Sequence, residues 1–454
     1  MENAEQKLSI KEKVGYGLGD FAANIVFQTV MIFLMYYYTD IFGIPAAAVG
    51  TLFLLSRIWD AVNDPLMGAV ADRTKSKYGR FRPWIKWTAI PFGVLAVLMF
   101  TTPDLSVSGK IVYAYVTYIL MMMIYTANNI PYGALSGVMT SDSVERTSLN
   151  SYRFVLGQSA ALMVQGATLP LIAFFGMGDK ALGYQLTMAF FALIAIGMFY
   201  VTFYTTKERI IPVQTESTPI KEDLKDLLKN RPWAILFVMG LVTFIFLSLR
   251  IAVGIYYFKY YVGDESLFST FAVLGTLGLI IGIPLSKPLT KRFGKRNTYI
   301  VSNALSGLAV LCLFIPGPDQ YIAVYIISAL VGFFNGPGVP ILWAMYADTA
   351  DYAEWKFGRR ATGIVFSAAT FGQKFGWGIG GAIMGWLLTI FNYVPNEVQS
   401  PEAILGIKLM LSIIPGVLMI LSVGLLFFYN LSESFMEKVQ AELAERRNGN
   451  EATA

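Results

Sequence analysis

The sequence predicts an all-α integral membrane protein with about twelve transmembrane helices. Three observations support this fold class. First, 55% of the 454 residues are hydrophobic and only 14% are charged, whereas soluble domains carry about a quarter charged residues. Second, the mean hydropathy is +0.55. Third, the hydrophobic stretches are long and continuous. A transmembrane β-barrel would instead show segments of about ten residues with alternating hydrophobicity.

Each predicted span is close to or above the length of about 20 apolar residues that a hydrocarbon core of roughly 30 Å requires. In chain order the predicted spans are residues 14–39, 47–71, 84–102, 110–135, 150–174, 183–205, 233–262, 266–289, 298–315, 321–347, 362–391 and 403–430.

Polar segments divide these spans into two groups of six. Residues 1–13 form the predicted cytoplasmic N-terminus, 14–205 a first six-helix bundle, 206–232 a cytoplasmic middle loop, 233–430 a second bundle and 431–454 a cytoplasmic tail. Lysine and arginine concentrate in alternate loops, which predicts that both termini face the cytoplasm of a multi-pass inner-membrane protein. The net charge of +5 follows from this topology and does not indicate nucleic-acid binding.

The residue inventory argues against an enzyme. The chain has no histidine and a single cysteine, Cys312, so it has no histidine metal site, histidine proton relay or internal disulfide framework. A membrane enzyme would need a nucleophile with its base, a metal cluster or a cofactor motif. We therefore expect no catalytic residue, no cofactor and no metal other than a transported ion.

The two halves repeat each other. Gly79 and Gly294, each in a basic loop after an even-numbered span, are 215 residues apart, and Gln158 and Gln373 have the same separation. Because matches occur in the same order in both halves, the sequence predicts a six-plus-six duplication, as many transporters have.

A pair of carboxylates lies inside the second predicted span. Asp60, Asn63 and Asp64 are at positions i, i+3 and i+4, which places them on one helical face. Two such close carboxylates need a cation or proton between them, and hard oxygen ligands suit a small hard cation. Thr126 of the fourth span is a further candidate ligand. The alternative is that Arg57 neutralises the pair structurally.

A second polar cluster is predicted in the same half. It consists of Asp20, Asn24, Asn128, Asn129 and Arg153, all within or near predicted spans. Carboxylate, amide and guanidinium groups together can form hydrogen bonds with the hydroxyls of a sugar. The alternative is hydrogen bonding between helices, which is common for asparagine in membranes.

Two cations lie inside spans of the second half. Lys374 is expected to pair with Asp60 or Asp64, and Arg250 with a substrate carboxylate or with Asp20. A structural ion pair is the alternative for Arg250, because charges in a membrane normally face a cavity or a partner.

Charged residues at the cytoplasmic ends of the spans suggest gating pairs. Arg146 with Asp351, and Arg360 with Asp348 or nearby acids, are candidates that would hold one conformation and separate in another. Simple membrane anchoring by basic residues is the alternative for these loops.

Several motifs resemble the glycoside–pentoside–hexuronide:cation symporters, the melibiose-permease branch of the major facilitator superfamily. The similarity extends from about residue 11 to 430 and is carried by YGLGDFAANI, LSRIWDAVNDPLMG, ADRTKSKYGRFRPW, YTANNIPYGAL, ERTSLNSYRF, ADTADYAEW and FGQKFGWGIGG. The resemblance implies two six-helix bundles around a central cavity, alternating access and a monomer in the lipid bilayer.

The resemblance also implies a function for the polar residues. The family's cation site matches Asp60, Asn63, Asp64 and Thr126, which implies Na⁺ coupling, with H⁺ or Li⁺ as substitutes. A proton-coupled sugar symporter with the same acids and a Na⁺-dependent lysolipid carrier are the alternatives.

The implied sugar site departs from the melibiose-permease pattern. Its two sugar-binding acids align with Asn24 and Asn129, while Arg153, Thr370 and Lys374 match the family pattern. Asp20 followed by Asn24 resembles the pentoside and hexuronide branch, so the expected substrates are xylosides, glucuronides or plant-glycan oligosaccharides.

Overall fold

The computed structural model describes residues 7–140, 143–210, 227, 229–357 and 362–451. Within these ranges the regular secondary structure is helical, in agreement with the predicted all-α class. In the first half the helices are α1 Ile10–Tyr36, α2 Ala46–Arg73, α3 Arg82–Met99, α4 Val107–Met139, α5 Ser143–Gly176 and α6 Lys180–Thr205.

The second half contains more and shorter helices. They are α7 Arg231–Tyr256, α8 Leu267–Gly282, α9 Ser286–Cys312, α10 Tyr321–Asn335, α11 Gly338–Phe357, α12 Thr362–Ile390, α13 Pro401–Leu411, α14 Ile413–Gly424 and α15 Glu433–Glu451. Short 3₁₀ turns cover Ile283–Leu285 and Leu425–Phe428.

Two predicted spans of the second half are interrupted. Span 321–347 divides into α10 and α11 at Gly336–Pro337, and span 403–430 divides into α13 and α14 at Ser412. Proline has no backbone N–H for the i→i−4 hydrogen bond, and Pro337 and Pro415 fall at or just after these breaks.

Two helices end in a π-helical turn. The turn Tyr37–Ile41 follows α1, and Tyr257–Val262 follows α7. Because α1 and α7 are the first helices of the two halves, these turns add a structural match to the predicted duplication.

Among the described residues, eight helical stretches are long and apolar enough to cross a membrane. They are Ile10–Ile41, Val107–Met139, Ser148–Gly176, Lys180–Thr205, Arg231–Val262, Leu267–Cys312, Tyr321–Lys356 and Pro401–Phe428. The stretch Leu267–Cys312 contains two predicted spans. Helices α2, α3 and α12 overlie three further predicted spans and are not among these eight stretches, so the count of twelve remains a prediction.

The chain packs as two compact units. One combines the described part of Met1–Gln214 with Gly385–Val398, and the other combines the described part of Thr215–Met384 with that of Gln399–Ala454. In the first unit α1 packs against α5 and α6, and α4 packs against α2 and α3. In the second unit α8 packs against α10, and α9 packs against α10 and α14.

The segment Gly385–Val398 belongs to the first unit, although its position in the chain falls within the predicted bundle 233–430. A Cβ atom on Gly385 would lie 2.4 Å from the carbonyl oxygen of Ala46, so this turn of α12 approaches α2 closely. The Tyr393 hydroxyl donates a hydrogen bond of 2.6 Å to Asp40 Oδ2. Contacts between residues so distant in the chain cannot be inferred from hydrophobic periodicity.

The repeated glycines lie at equivalent turns: Gly79 precedes α3, and Gly294 interrupts α9 with a non-helical backbone conformation. Gly79 has φ +104° and Gly294 has φ +77°, values that glycine adopts readily. The Glu208 carboxylate accepts hydrogen bonds of 2.8–2.9 Å from the three backbone N–H groups of residues 80–82, at the start of α3. Similarly, Glu433 accepts the N–H that follows Gly294, at 2.7 Å. An acidic residue thus anchors the equivalent turn in each half.

Candidate functional site

Helices α2 and α4 bring together the predicted cation ligands. The Thr126 hydroxyl donates a hydrogen bond of 2.9 Å to Asp64 Oδ1. Thr126 is buried, whereas Asn63 and Asp64 are half-buried and lie on the same face of α2 as Asp60. The structure therefore joins the fourth-span hydroxyl to the second-span carboxylate, and the role of these residues as cation ligands stays a prediction.

Arg57 pairs with the other carboxylate. Arg57 Nη1 lies 2.7 Å from Asp60 Oδ2, and the two side chains are only 5% and 8% exposed. Arg57 Nη2 also donates a hydrogen bond of 3.1 Å to the Tyr118 hydroxyl, which fixes the guanidinium against α4. For Asp60, the structure thus shows the neutralising partner that was the alternative to a bound cation.

The donor set at this cluster consists of oxygen ligands. The described residues include no group of three or more His, Cys, Asp or Glu side chains that could hold a metal ion. The available ligands are the Asp60 and Asp64 carboxylates, the Thr126 hydroxyl and the Asn63 amide. Asn63 Nδ2 is buried without a hydrogen-bond partner in the described part of the chain. Hard oxygen donors of this kind bind small hard cations or exchange protons.

The predicted sugar cluster is centred on an ion pair between α1 and α5. Arg153 Nε lies 2.8 Å from Asp20 Oδ1. Asn24 Nδ2 donates to Asp20 Oδ2 at 3.1 Å and to the Asp20 carbonyl at 2.9 Å. The Arg153 guanidinium also lies over the Tyr132 ring, 5.3 Å from its centroid. Asp20, Asn24 and Arg153 thus form one preorganised group, and Arg153 remains 29% exposed.

A glycine that the sequence analysis did not select makes room for this group. A Cβ atom on Gly157 would lie 2.4 Å from Asp20 Oδ2 and 3.4 Å from Asn24 Nδ2. Gly157 is one helical turn after Arg153 on α5. The only signal in the sequence was its i+4 spacing from Arg153, which does not identify a partner on α1.

The two asparagines of α4 have different environments. Asn128 is buried and donates a hydrogen bond of 2.8 Å to the Thr88 hydroxyl of α3, which is the interhelical bonding that was the alternative to ligand contact. Asn129 is half-buried. Tyr125, which the sequence analysis did not select, is stacked on Phe27 of α1 with a centroid distance of 5.5 Å. An aromatic pair therefore lies one turn from Asn24 and Asn129.

The predicted ligands of the second unit lie on α7 and α12. Arg250 is half-buried on α7, and its guanidinium lies 5.9 Å from the Phe271 ring centroid. Thr370 is exposed on α12 and its hydroxyl donates to the Phe366 carbonyl at 2.9 Å. Lys374 is half-buried one turn later. Its predicted pairing with Asp60 or Asp64 stays a prediction. Asp20 forms an ion pair with Arg153, and the predicted pairing of Arg250 with Asp20 or with a substrate carboxylate stays a prediction.

The predicted gating residues have partners within their own units. Arg146 Nη2 donates to the Thr140 carbonyl at 3.0 Å. Lys295 Nζ donates hydrogen bonds to both carboxylate oxygens of Asp348, at 2.7 and 2.8 Å. The sequence analysis did not identify this lysine. Asp351 is half-buried on α11. Arg360 lies outside the described residues, and the predicted pairs Arg146–Asp351 and Arg360–Asp348 stay predictions.

Helices that cross a membrane and carry preorganised polar clusters define a transporter of small polar solutes. The sequence model of a family described as MFS/sugar transport protein matches residues 15–433. The chain is 39% identical to the inner membrane symporter YicJ of Escherichia coli, over 96% of this chain and 95% of that protein. It is 38% identical to the isoprimeverose transporter of Lactiplantibacillus pentosus, over 98% and 93%.

These similarities show that the chain belongs to the glycoside–pentoside–hexuronide:cation symporter family. It is a membrane transporter and not an enzyme. A further relative, the glucuronide carrier protein homolog of Escherichia coli, is 30% identical over 97% of both chains.

The fold is also that of solved transporters. A bacterial homolog of the human lysosomal transporter Spinster matches 92% of this chain and 95% of its own, with a TM-score of 0.67 and 12% identity. The nucleoside transporter NupG matches 92% and 98%, with a TM-score of 0.60 and 14% identity.

Proposed function

We propose that this protein is a cation-coupled sugar symporter that imports a glycoside, pentoside or hexuronide across the inner membrane by alternating access, with Na⁺ as the coupling ion. The observation that carries the proposal is the presence of two preorganised polar groups in the first unit. One joins Asp64 to Thr126, and the other joins Asp20 to Arg153 and Asn24. Twelve spans with both termini in the cytoplasm complete the proposed architecture.

The first group is the proposed cation site. The hydrogen bond from Thr126 to Asp64 holds the hydroxyl and carboxylate oxygens close enough for both to contact one bound ion. An ion between the α2 side chains would share Asp64 with the Thr126 hydroxyl and would compete with Arg57 for Asp60, since Arg57 occupies Asp60 Oδ2. This competition supports a site of modest affinity that releases its ion on each transport cycle.

The second group is the proposed sugar site. Asp20 accepts hydrogen bonds, Arg153 donates them and the Asn24 amide does both, so that adjacent sugar hydroxyls can each find a partner. Asn129 extends this group on α4, and Arg250, Thr370 and Lys374 are the proposed contributors of the second unit. Asn128 is bound to Thr88, which supports a role in holding α4 against α3.

Coupling to an ion supplies the energy for accumulation. One positive charge that crosses a potential of about 100 mV contributes about 2.3 kcal/mol, which corresponds to nearly a 50-fold concentration ratio. The gradient of the ion adds to this value. A bound ion that increases the sugar affinity would enforce coupling, and the sugar must then increase the ion affinity by the same factor.

Proton coupling is the second candidate. The observation that favours it is the Arg57–Asp60 ion pair, because this pair already neutralises one of the two carboxylates. The remaining acid, Asp64, would then suffice as a proton site without a full set of cation ligands.

Uptake into proteoliposomes with an imposed gradient tests the proposed function. An inward Na⁺ gradient is expected to drive accumulation of a glycoside, while an inward proton gradient without Na⁺ is not. Asp60→Cys and Asp64→Cys are each expected to abolish accumulation but to retain downhill flux. Accumulation that survives both replacements would exclude the proposed cation site. Accumulation that requires only the proton gradient would establish the second candidate.

A further inference from the structure

The guanidinium of Arg250 lies deep in a membrane-crossing stretch. Arg250 is twelve residues before the end of Arg231–Val262. At 1.5 Å per helical residue, this places it about 18 Å from that end. An arginine at such a depth requires a partner that stabilises its charge.

The surroundings of Arg250 provide little of this stabilisation. Its Nε and Nη1 atoms are buried and have no hydrogen-bond partner in the described ranges. No described carboxylate forms an ion pair with it, and its guanidinium lies over the face of the Phe271 ring, 5.9 Å from the centroid. The residue as a whole is half-buried, so part of its surface stays accessible.

Two arginines of the first unit show what a compensated guanidinium looks like in this protein. Arg57 lies 2.7 Å from Asp60 and Arg153 lies 2.8 Å from Asp20. Arg250 instead has two buried donor atoms without an acceptor among the described residues. The missing group is therefore an anion, and a guanidinium binds a carboxylate or sulfonate through two parallel hydrogen bonds.

We propose that Arg250 recognises a negatively charged substituent of the transported sugar, and that the substrates are anionic glycosides. This inference rests on the proposed function, since it adds a charge preference to the same transport reaction. A neutral glycoside leaves Arg250 without an acceptor, whereas a uronide or a sulfonated sugar supplies one. Arg250 is then a specificity-determining residue.

An anionic substrate changes the electrical character of transport. One Na⁺ that moves together with one anionic glycoside carries no net charge across the membrane. The membrane potential then contributes nothing, and the Na⁺ concentration gradient alone drives accumulation. A neutral glycoside carried with one Na⁺ would move one charge and respond to the potential.

Calorimetry with matched sugar pairs tests the charge preference. The probes are 4-nitrophenyl β-D-glucuronide with the β-D-glucoside, and the corresponding galacturonide with the galactoside, each titrated into purified protein in NaCl. A sulfoquinovoside with the glucoside separates sulfonate from carboxylate recognition. The charged member of a pair is expected to bind about tenfold or more tightly, because a hydrogen bond to a charged group contributes more than a neutral one.

Two variants assign the preference to Arg250. Arg250→Gln is expected to reduce the affinity for the charged sugar by about tenfold more than the affinity for the neutral one, so that the preference for charge disappears. Arg250→Lys is expected to retain part of the preference, because it retains the charge without the planar geometry. Na⁺ binding, measured on the same samples, verifies that both variants are folded. In proteoliposomes, a potassium diffusion potential is expected to leave uptake of the charged sugar unchanged.

The contradicting outcomes are distinct. Na⁺-dependent binding of neutral glycosides without preference for their charged partners would overturn the role of Arg250 and leave the proposed function intact. An equal loss of both affinities in Arg250→Gln would also overturn it, because it would indicate a structural role. If no glycoside, charged or neutral, binds in the presence of Na⁺, the proposed function and this inference both fail.

Discussion

The two units stabilise charge within their helices in different ways. In the first unit Arg57 is paired with Asp60, and Arg153 is paired with Asp20. In the second unit Arg250 lies over the Phe271 ring and has two donor atoms without acceptors in the described structure. A charge at the bilayer centre costs about 2.5–3.5 kcal/mol on insertion scales. A cation–π contact restores only about 0.5–2 kcal/mol of this cost.

This difference indicates a division of roles. Paired groups in the first unit are fixed before a ligand arrives, so they can bind it without reorganisation. The unpaired guanidinium of the second unit gains most of its stabilisation only when an anion binds. We therefore expect substitutions in the first unit to affect both folding and binding, and those at Arg250 to affect mainly binding.

The largest effects are expected from substitutions of the acids in the two polar groups of the first unit, and they show whether each group binds a different ligand. Asp64→Asn is expected to weaken Na⁺ binding on the order of 100-fold or more, and Asp20→Asn to weaken glycoside binding by a similar factor, because each removes a hydrogen-bonded charge. Calorimetry with Na⁺ alone and with glycoside alone distinguishes the two. The exposed Asp319 provides a control, Asp319→Asn, that should change neither affinity. Loss of both affinities in either variant would indicate one merged site.

A comparison of two arginine variants tests the contrast itself. Arg57→Gln leaves Asp60 buried without its guanidinium, and breaking a buried ion pair costs about 3–5 kcal/mol. Its melting temperature in detergent is expected to fall by several degrees, with partial recovery in NaCl because Na⁺ supplies the missing charge. Arg250→Gln leaves no such carboxylate and should melt at or above the wild-type temperature. Equal destabilisation of both variants would contradict the contrast between the units.

A smaller effect is expected from a methyl group beside the sugar cluster. Gly157→Ala places a Cβ atom 2.4 Å from Asp20 Oδ2, so the carboxylate must move away from Arg153. We expect a loss of about tenfold in glycoside affinity, equal to one charged hydrogen bond, with Na⁺ affinity unchanged. Gly133→Ala is the matched control, because no heavy atom lies within 4 Å of its added Cβ. Equal losses in the two variants would rule out the positioning role of Gly157.

The smallest effects compare the two repeated turns. Glu208→Gln weakens three charged hydrogen bonds to the start of α3, whereas Glu433→Gln weakens one at the turn after Gly294. We expect a loss of about 1–3 kcal/mol for the first and about 1 kcal/mol or less for the second. Thermal unfolding measures the loss of stability in each variant. A larger loss for Glu433→Gln than for Glu208→Gln would indicate that the number of hydrogen bonds does not determine how strongly each acid stabilises its turn.

The sequence was sufficient for those features that depend on local pattern. Continuous apolar runs predicted the helices. The separation of Gly79 from Gly294, which equals that of Gln158 from Gln373, predicted a duplication, and both glycines have a positive φ in the structure. The i, i+3, i+4 spacing also placed the α2 ligands on one face. The contact of Thr126 with Asp64 followed from motif resemblance, since the spacing within one helix gives no information about another.

The features that were missed depend on contacts between distant segments. The bond of Asn128 to Thr88 and the ion pair of Lys295 with Asp348 each join different helices. The packing of Gly385–Val398 in the first unit also depends on which residues α2 presents to α12. Gly157 has no side chain of its own, so only the position of Asp20 reveals its importance.

The most direct measurement is the mutual dependence of ion and sugar binding in the wild-type protein. Calorimetry would determine the glycoside affinity with and without NaCl, and the Na⁺ affinity with and without the glycoside, at two pH values. We predict that each ligand increases the affinity for the other by the same factor, as linkage requires. Glycoside binding that is indifferent to Na⁺ but changes with pH would contradict Na⁺ coupling and indicate that Asp64 carries a proton instead.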